Sequence, residues 1–322
     1  MDKMVYRVLA ATSLVVLGFI AFGGLMTAAA GTPSLRGQRI DIGGGRHMHM
    51  ICEGPVSGTG PTVLFEAGAF GFSADWGAVQ EGLTKSGQRS CAYDRAGLGQ
   101  SDPGPGPRDA NAIVEDLEKL LTVANEPGPY IYVGHSMAGV YARLFTARNA
   151  DKVVGVVLVD AASPEATAMP QVAQFVSAFA TASRMAAWGA STGLFKPLSG
   201  TRLGDKIGLP PAASAEKRRA FASGVHARNA AEEVSQWPQS AKQAAAAGQY
   251  TPTLPVMVVT AGPAEGARKQ WKELQAAPAL ASKYGMAVNV PEASHNSVLG
   301  LQHNGAILRA IAQVRKVIDT KG

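Results

Sequence analysis

The stretch YIYVGHSMAGVYARLF, Tyr130–Phe145, decides how the rest of the chain is read. Tyr130–Val133 is a run of strand formers, Met137–Phe145 has helical spacing, and only Gly134-His135-Ser136 joins them. An abrupt strand-to-helix turn carrying one serine is a variant of G-x-S-x-G, the elbow that pushes a hydroxyl out of the backbone. Ala138 stands at the last position of that motif, and glycine comes only at 139. The substitution adds one methyl, and Gly139 beside it leaves room for the neighbouring backbone to adjust.

Working outward, the same rhythm recurs. PTVLFEAG (61–68), QRSCAYD (88–94), VVGVVLVDA (153–161), LPVMVVTAG (254–262) and GMAVNVPEASH (285–295) read as strands. Helical patterns fall over 74–86, 110–124, 137–149 and 307–318. Strands that are apolar throughout, alternating with helices, predict a parallel sheet covered on both faces. QRIDIGGGRHMHMICEG (38–54) reads as a hairpin turning at three glycines. Residues 163–250 break the rhythm, being rich in Ala, Ser and Gln with no strand pattern, and are read as a helical cap. The core is then 36–162 together with 251–322.

Of 322 residues, 46% are apolar, enough for a sizeable core, and the formal charge is +6. The Lys and Arg are scattered without a basic stripe or interleaved aromatics, which argues against a nucleic-acid partner. Residues 1–35 are set apart. After Lys3 and Arg7 no charge occurs until Arg36, and Leu14–Met26 is densely apolar. That segment is a membrane anchor or a signal peptide, with Ala28-Ala29-Ala30 offering small residues for cleavage. Basic residues ahead of it place the remainder outside the cytoplasm in either case. His47 and His49 share a strand face but have no third ligand nearby, and Cys52 and Cys91 alone make no zinc site, so no metal is expected.

FEAGAFGFSADW, CAYDRAGLGQSD, GHSMAG, VVLVDAASPE and PEASH, taken in that order, resemble the α/β-hydrolase fold superfamily. The likeness is to its serine-nucleophile, esterase- and lipase-like branch with a helical cap, and runs from about Gln38 to the C-terminus. It implies a mostly parallel eight-stranded sheet with helices on both faces and a helical cap insertion. It also implies that Ser136 is the nucleophile and His295 the base, with His303 and His226 as rivals and His135 pointing away. Many relatives carry the acid after the strand that LPVMVVTAG matches, where Glu265 is the nearest carboxylate. A subset carries it at the end of the strand after the serine helix, where Asp160 lies. Asp160 is the first choice and Glu265 the second.

The family's oxyanion hole maps to the backbone N–H groups of Met137 and Ala69, with Ala67 replacing the histidine of the family's His-Gly-X. Phe70 and Trp76 are expected in the substrate pocket, and Asp94 and Arg95 as loop-fixing residues. In this fold the strands holding Cys52 and Cys91 lie antiparallel, which makes a disulfide between them an expectation that agrees with export. The resemblance implies hydrolysis of a small-molecule carboxylic ester through an acyl-enzyme, without cofactor or metal. A perhydrolase or amidase would use the same triad. The contrasting reading is a non-catalytic binding protein that keeps the fold alone.

Overall fold

A computed structural model describes residues 3–29, 36–56, 60–201 and 203–320. Its centre is an eight-stranded sheet: β1 (Gln38–Asp41), β2 (His47–Glu53), β3 (Thr62–Glu66), β4 (Ser90–Tyr93), β5 (Tyr130–His135), β6 (Val153–Val159), β7 (Val256–Ala261) and β8 (Met286–Val290). The strands lie in the order β1-β2-β4-β3-β5-β6-β7-β8. β1 and β2 form the antiparallel hairpin, its turn fixed by the Gly43 N–H donating to Asp41 Oδ1 at 2.8 Å. β2 is antiparallel to β4, and all later pairings are parallel. Cys52 and Cys91 stand directly opposite in the β2–β4 ladder and are joined by a disulfide.

Eleven α-helices accompany the sheet among the described residues. α1 (Lys3–Ala29) precedes it, α2 (Gly77–Lys85) follows β3, and α3 (Ala110–Val123) and α4 (Ala138–Arg148) flank β5. α5 (Pro164–Thr167), α6 (Pro170–Ser191), α7 (Pro211–Phe221), α8 (Gly224–Ser235) and α9 (Trp237–Ala246) all fall between β6 and β7. α10 (Ala267–Leu280) joins β7 to β8, and α11 (Gly305–Asp319) closes the chain. The sequence explains several boundaries. Asp109 accepts from the Ala112 N–H at 3.1 Å and caps α3, and Ser163 does the same for Ala166 at the start of α5.

The inner strands β3 and β5 are buried along their whole length and β6 at every residue but Val154, which is why they read as unbroken apolar runs. One face packs against α3 and α4 through Leu117, Tyr141 and Phe145, the other against α2 and α11 through Val79, Ile307 and Ile311. Burying side chains of that size contributes about 1.5–3 kcal/mol each. α1 differs from every other helix. Lys3–Leu25 has a mean hydropathy of 2.3 and is almost wholly exposed, so it is long and apolar enough to cross a membrane. The Ala28-Ala29-Ala30 cleavage expectation falls at its end, and residue 30 lies outside the described residues.

Candidate active site

β5 ends at His135, and α4 begins three residues later, so the backbone must reverse at Ser136. It does so with φ +56°, a left-handed conformation that a side-chain-bearing residue adopts only at a cost. Four non-glycine residues among those described have positive φ, and three of them, Phe70, Ser136 and Asp160, converge on this site. The glycine question at the elbow resolves by contact. Ala138 is fully buried without displacement of the turn, whereas a methyl at Gly139 would come within 2.2 Å of the Ala162 carbonyl oxygen. Gly68 is as tightly placed, since a methyl there would reach 2.8 Å from Ser136 Cβ.

The Ser136 hydroxyl lies 3.0 Å from His295 Nε2, and His295 Nδ1 lies 2.6 Å from Asp160 Oδ2. An ionised carboxylate only accepts, so the Nδ1 proton is on the histidine and its Nε2 lone pair faces the serine. Asp160 comes from the end of β6 and His295 from the loop after β8. Asp160 Oδ1 also accepts from the Ala261 N–H at 3.3 Å and the Gln275 amide at 3.2 Å. Burial works to raise the Asp160 pKa, but the hydrogen bond and charge of His295, with these two donors, hold it below the ordinary carboxylate range. Glu265 lies exposed in the loop after β7, and the carboxylate on His295 is that of Asp160. His303 is bonded through its backbone to Gly300, at the turn before α11.

Neither the Met137 nor the Ala69 N–H donates to an acceptor among the described residues. Both residues sit beside Ser136, one following it in the chain and one following Gly68. The loop that carries Ala69 is held from beneath by the buried Arg95, whose guanidinium donates to the carbonyl oxygens of Ala67 and Gly68. Arg95 also pairs with Glu66 at 2.6 Å and with Glu233 of α8 at 2.8 Å. Asp94 accepts from the Ser73 and Gln100 N–H groups and from His49 Nδ1. Both residues therefore shape the loops as the sequence suggested.

From above, the Phe70 carbonyl oxygen accepts from Lys217 Nζ at 3.1 Å and from His226 Nε2 at 3.2 Å. Lys217 also pairs with the buried Asp75 at 2.7 Å, and His226 Nδ1 accepts from the Gly99 N–H at 3.0 Å. Sequence reasoning missed this clamp. In the sequence His226 reads only as a rival base, and Lys217 belongs to an unremarkable Lys-Arg-Arg run. Burial and the nearby Lys217 charge lower the His226 pKa to about 4, keeping its ring neutral.

Two expectations are corrected. His135 does not point away from the base; its ring lies 4.6 Å from that of His295 and bonds the His295 backbone carbonyl at 2.9 Å. The β5 pleat sends its side chain under the loop after β8, where it meets the backbone of His295 while Ser136 meets its ring. Trp76 does not line the pocket. It is fully buried, stacked on Phe65 at 4.5 Å, because the short helical turn Ser73–Trp76 directs it into the core.

Phe70 does line a cavity of about 800 Å³ that opens on Ser136, Asp160 and His295. Its walls come mainly from α6 to α9, with Phe175, Phe179, Phe221 and Trp237, and from Trp271 of α10. A mostly apolar cavity of that size suits a small organic ligand. Among the described residues the one cluster with metal-ligand spacing is Cys52, Cys91 and Glu126, and both sulfurs are already committed to the disulfide.

Residues 63–310 match the model of the alpha/beta hydrolase family. A probable transporter of Hormonema carpetanum is 41% identical over 129 residues, 38% of this chain and 18% of that protein. The chain thus spans less than a fifth of that relative. Among solved structures, the Cif epoxide hydrolase from Acinetobacter nosocomialis superposes with a TM-score of 0.68 at 17% identity, covering 94% of this chain and 96% of that one. A thermophilic esterase from Thermogutta terrifontis gives 0.63 at 20% identity, covering 88% and 99%.

Proposed function

The chain belongs to the alpha/beta hydrolase family, and on that premise we propose that it is a serine hydrolase cleaving carboxylic esters through an acyl-enzyme on Ser136. The observation that carries the proposal is the unbroken chain from Ser136 Oγ through His295 to Asp160, at 3.0 and 2.6 Å. His295 Nε2 takes the hydroxyl proton as Ser136 Oγ bonds to the ester carbonyl carbon. Asp160 holds the tautomer and balances the imidazolium that forms. The negative charge moves to the carbonyl oxygen, where the Met137 and Ala69 N–H groups are the donors. Collapse expels the alcohol, which takes the proton from His295. Water activated by the same imidazole then releases the acid and restores Ser136.

A serine at the elbow supports an ester or related acyl substrate rather than the epoxide that the Acinetobacter neighbour's description names. The apolar cavity supports an ester with a bulky or extended hydrocarbon part. The disulfide supports an oxidising location for the catalytic body, and α1 with Lys3 and Arg7 ahead of its apolar run supports an anchor with that body outside the cytoplasm.

The test is a fluorophosphonate probe with mapping of the adduct, run beside Ser136→Ala. Labelling of wild type at Ser136 and its absence in the variant are expected. An unlabelled wild type would mean that the fold is kept for binding alone.

A further inference from the structure

We propose that the cap lies on the lipid bilayer that α1 enters, and that its apolar edge passes membrane-dissolved esters into the cavity. The inference rests on the anchor and esterase readings above and adds where the substrate comes from. Its first observation is the seating of α1. Gly23 lies so close to the turn after α6 that a methyl there would come within 2.5 Å of the Pro197 ring and 2.8 Å of Lys196 Cβ. A methyl on Gly193 would in turn touch Ile20 at 3.5 Å. The apolar span runs to Leu25, so at 1.5 Å rise per residue Ile20 and Gly23 lie about 8 and about 3 Å inside its end. If the span occupies hydrocarbon, the cap turn that touches it sits at headgroup depth.

The second observation is what the cap presents at that level. Met185 and Trp188, one helical turn apart on α6, are each 71% exposed, and Leu194 follows in the same turn as Pro197. Met185 and Trp188 are largely uncovered by the described residues and Leu194 is partly exposed, in the turn that touches α1. A tryptophan beside a span end is the side chain that favours the headgroup boundary, being apolar in body with one N–H for the wet side. Depths of about 5–10 Å are those reached by surface-lying amphipathic helices. The charge agrees: the cap, residues 163–250, holds nine Lys and Arg against five Asp and Glu, a basic balance suited to an anionic lipid surface.

The third observation connects that surface to the chemistry. Met185, Trp188 and Leu194 line a shallow apolar groove of about 410 Å³ whose floor includes Ala186 and Phe195. The same Ala186 and Phe195 line the cavity that ends at Ser136. The lipid-facing groove and the cavity thus share Ala186 and the half-buried Phe195, and rotation of Phe195 off its stack with Phe221 would open a path that never crosses water.

The experiment uses the full chain in vesicles of phosphatidylcholine with phosphatidylglycerol, with and without bromine on the acyl chains. Of the four tryptophans, Trp76 and Trp237 are buried and Trp271 is half-buried on α10 against the cavity, which leaves Trp188 as the exposed one that acyl-chain bromine can reach. Wild-type emission should be quenched, and most of the quenching should vanish in Trp188→Phe. In parallel, Met185→Glu/Trp188→Glu should raise KM about tenfold or more for a long-chain ester dissolved in the vesicles. The same variant should leave hydrolysis of the water-soluble p-nitrophenyl acetate unchanged. Equal quenching in wild type and Trp188→Phe, with the protein floating on vesicles, overturns the docking and spares the anchor. A protein that does not float overturns both. A wild type inactive on p-nitrophenyl acetate overturns the esterase reading and with it the delivery route, while the quenching still decides the docking.

Discussion

The imidazole of His135 lies 4.6 Å from that of His295, and its Nε2–H donates to the His295 backbone carbonyl at 2.9 Å. The residue just before the serine therefore fixes the loop that carries the histidine. This ties Ser136 and the His295 loop to one turn of backbone. Burial, and then the facing His295, push the His135 pKa down to about 3.

The first prediction follows from that contact. His135→Ala should lower kcat about tenfold, the worth of one lost buried hydrogen bond, while fluorophosphonate still labels Ser136. Steady-state kinetics beside probe labelling checks it. A variant as fast as wild type would show that the loop is held by other contacts.

Acid stability gives the second. His135 and His226 titrate near 6.5 when unfolded but at about 3 and about 4 when folded. The unfolded chain therefore binds more protons below pH 6.5, and stability falls as pH drops from there towards 4. Urea midpoints measured from pH 7 to pH 4 should decline less steeply in His226→Gln, whose side chain stays neutral throughout.

The identity of the acid gives the third. Asp160→Asn should cost about 10³–10⁴-fold in kcat, as loss of the tautomer-holding carboxylate does elsewhere. Glu265→Gln, at an exposed position away from the His295 contact, should leave kcat unchanged. Equal losses in the two would contradict the site geometry.

The clamp on Phe70 gives the fourth. Lys217→Met removes one donor to the Phe70 carbonyl and leaves Asp75 buried without its partner. A drop in kcat of about tenfold is expected, with lower stability. Lys217→Met/Asp75→Asn should recover the stability and not the rate. Recovery of both would make the lysine a purely structural ion pair.

The disulfide gives the fifth. It closes a loop with a sequence separation of 39 residues, for which chain entropy predicts about 4 kcal/mol. Cys52→Ser/Cys91→Ser should lose stability of that order in urea and retain Ser136 labelling. Unreduced, denatured wild type should take up no thiol reagent, and two labelled thiols would disprove the bond in the isolated protein.

The sheet was legible because its inner strands are buried on both faces, so their apolar runs need no tertiary information to be recognised. The elbow was legible because few residues tolerate a left-handed turn between a strand and a helix, and Ser136 with Gly139 is a local signature. Asp160 and Glu265 were both open in the sequence, since either position satisfies the chain order of such a triad. Side-chain direction was not legible at His135 and Trp76: the β5 pleat sets the face of His135, but the loop it meets there comes from 160 residues along the chain, and Trp76 lies in a short helical turn that has no strand period.

By itself, then, the sequence determined the alternation of strand and helix, the exposed apolar α1, and the serine, because each depends on neighbours a few residues away. Only the tertiary structure decided which carboxylate meets His295 and that Lys217 and His226 hold the Phe70 carbonyl. Those contacts join residues 135 and about 150 positions apart, and cap helices chosen for shape carry no local code for the loop they touch. Their partners are set by how the layers stack, which no stretch of the chain contains.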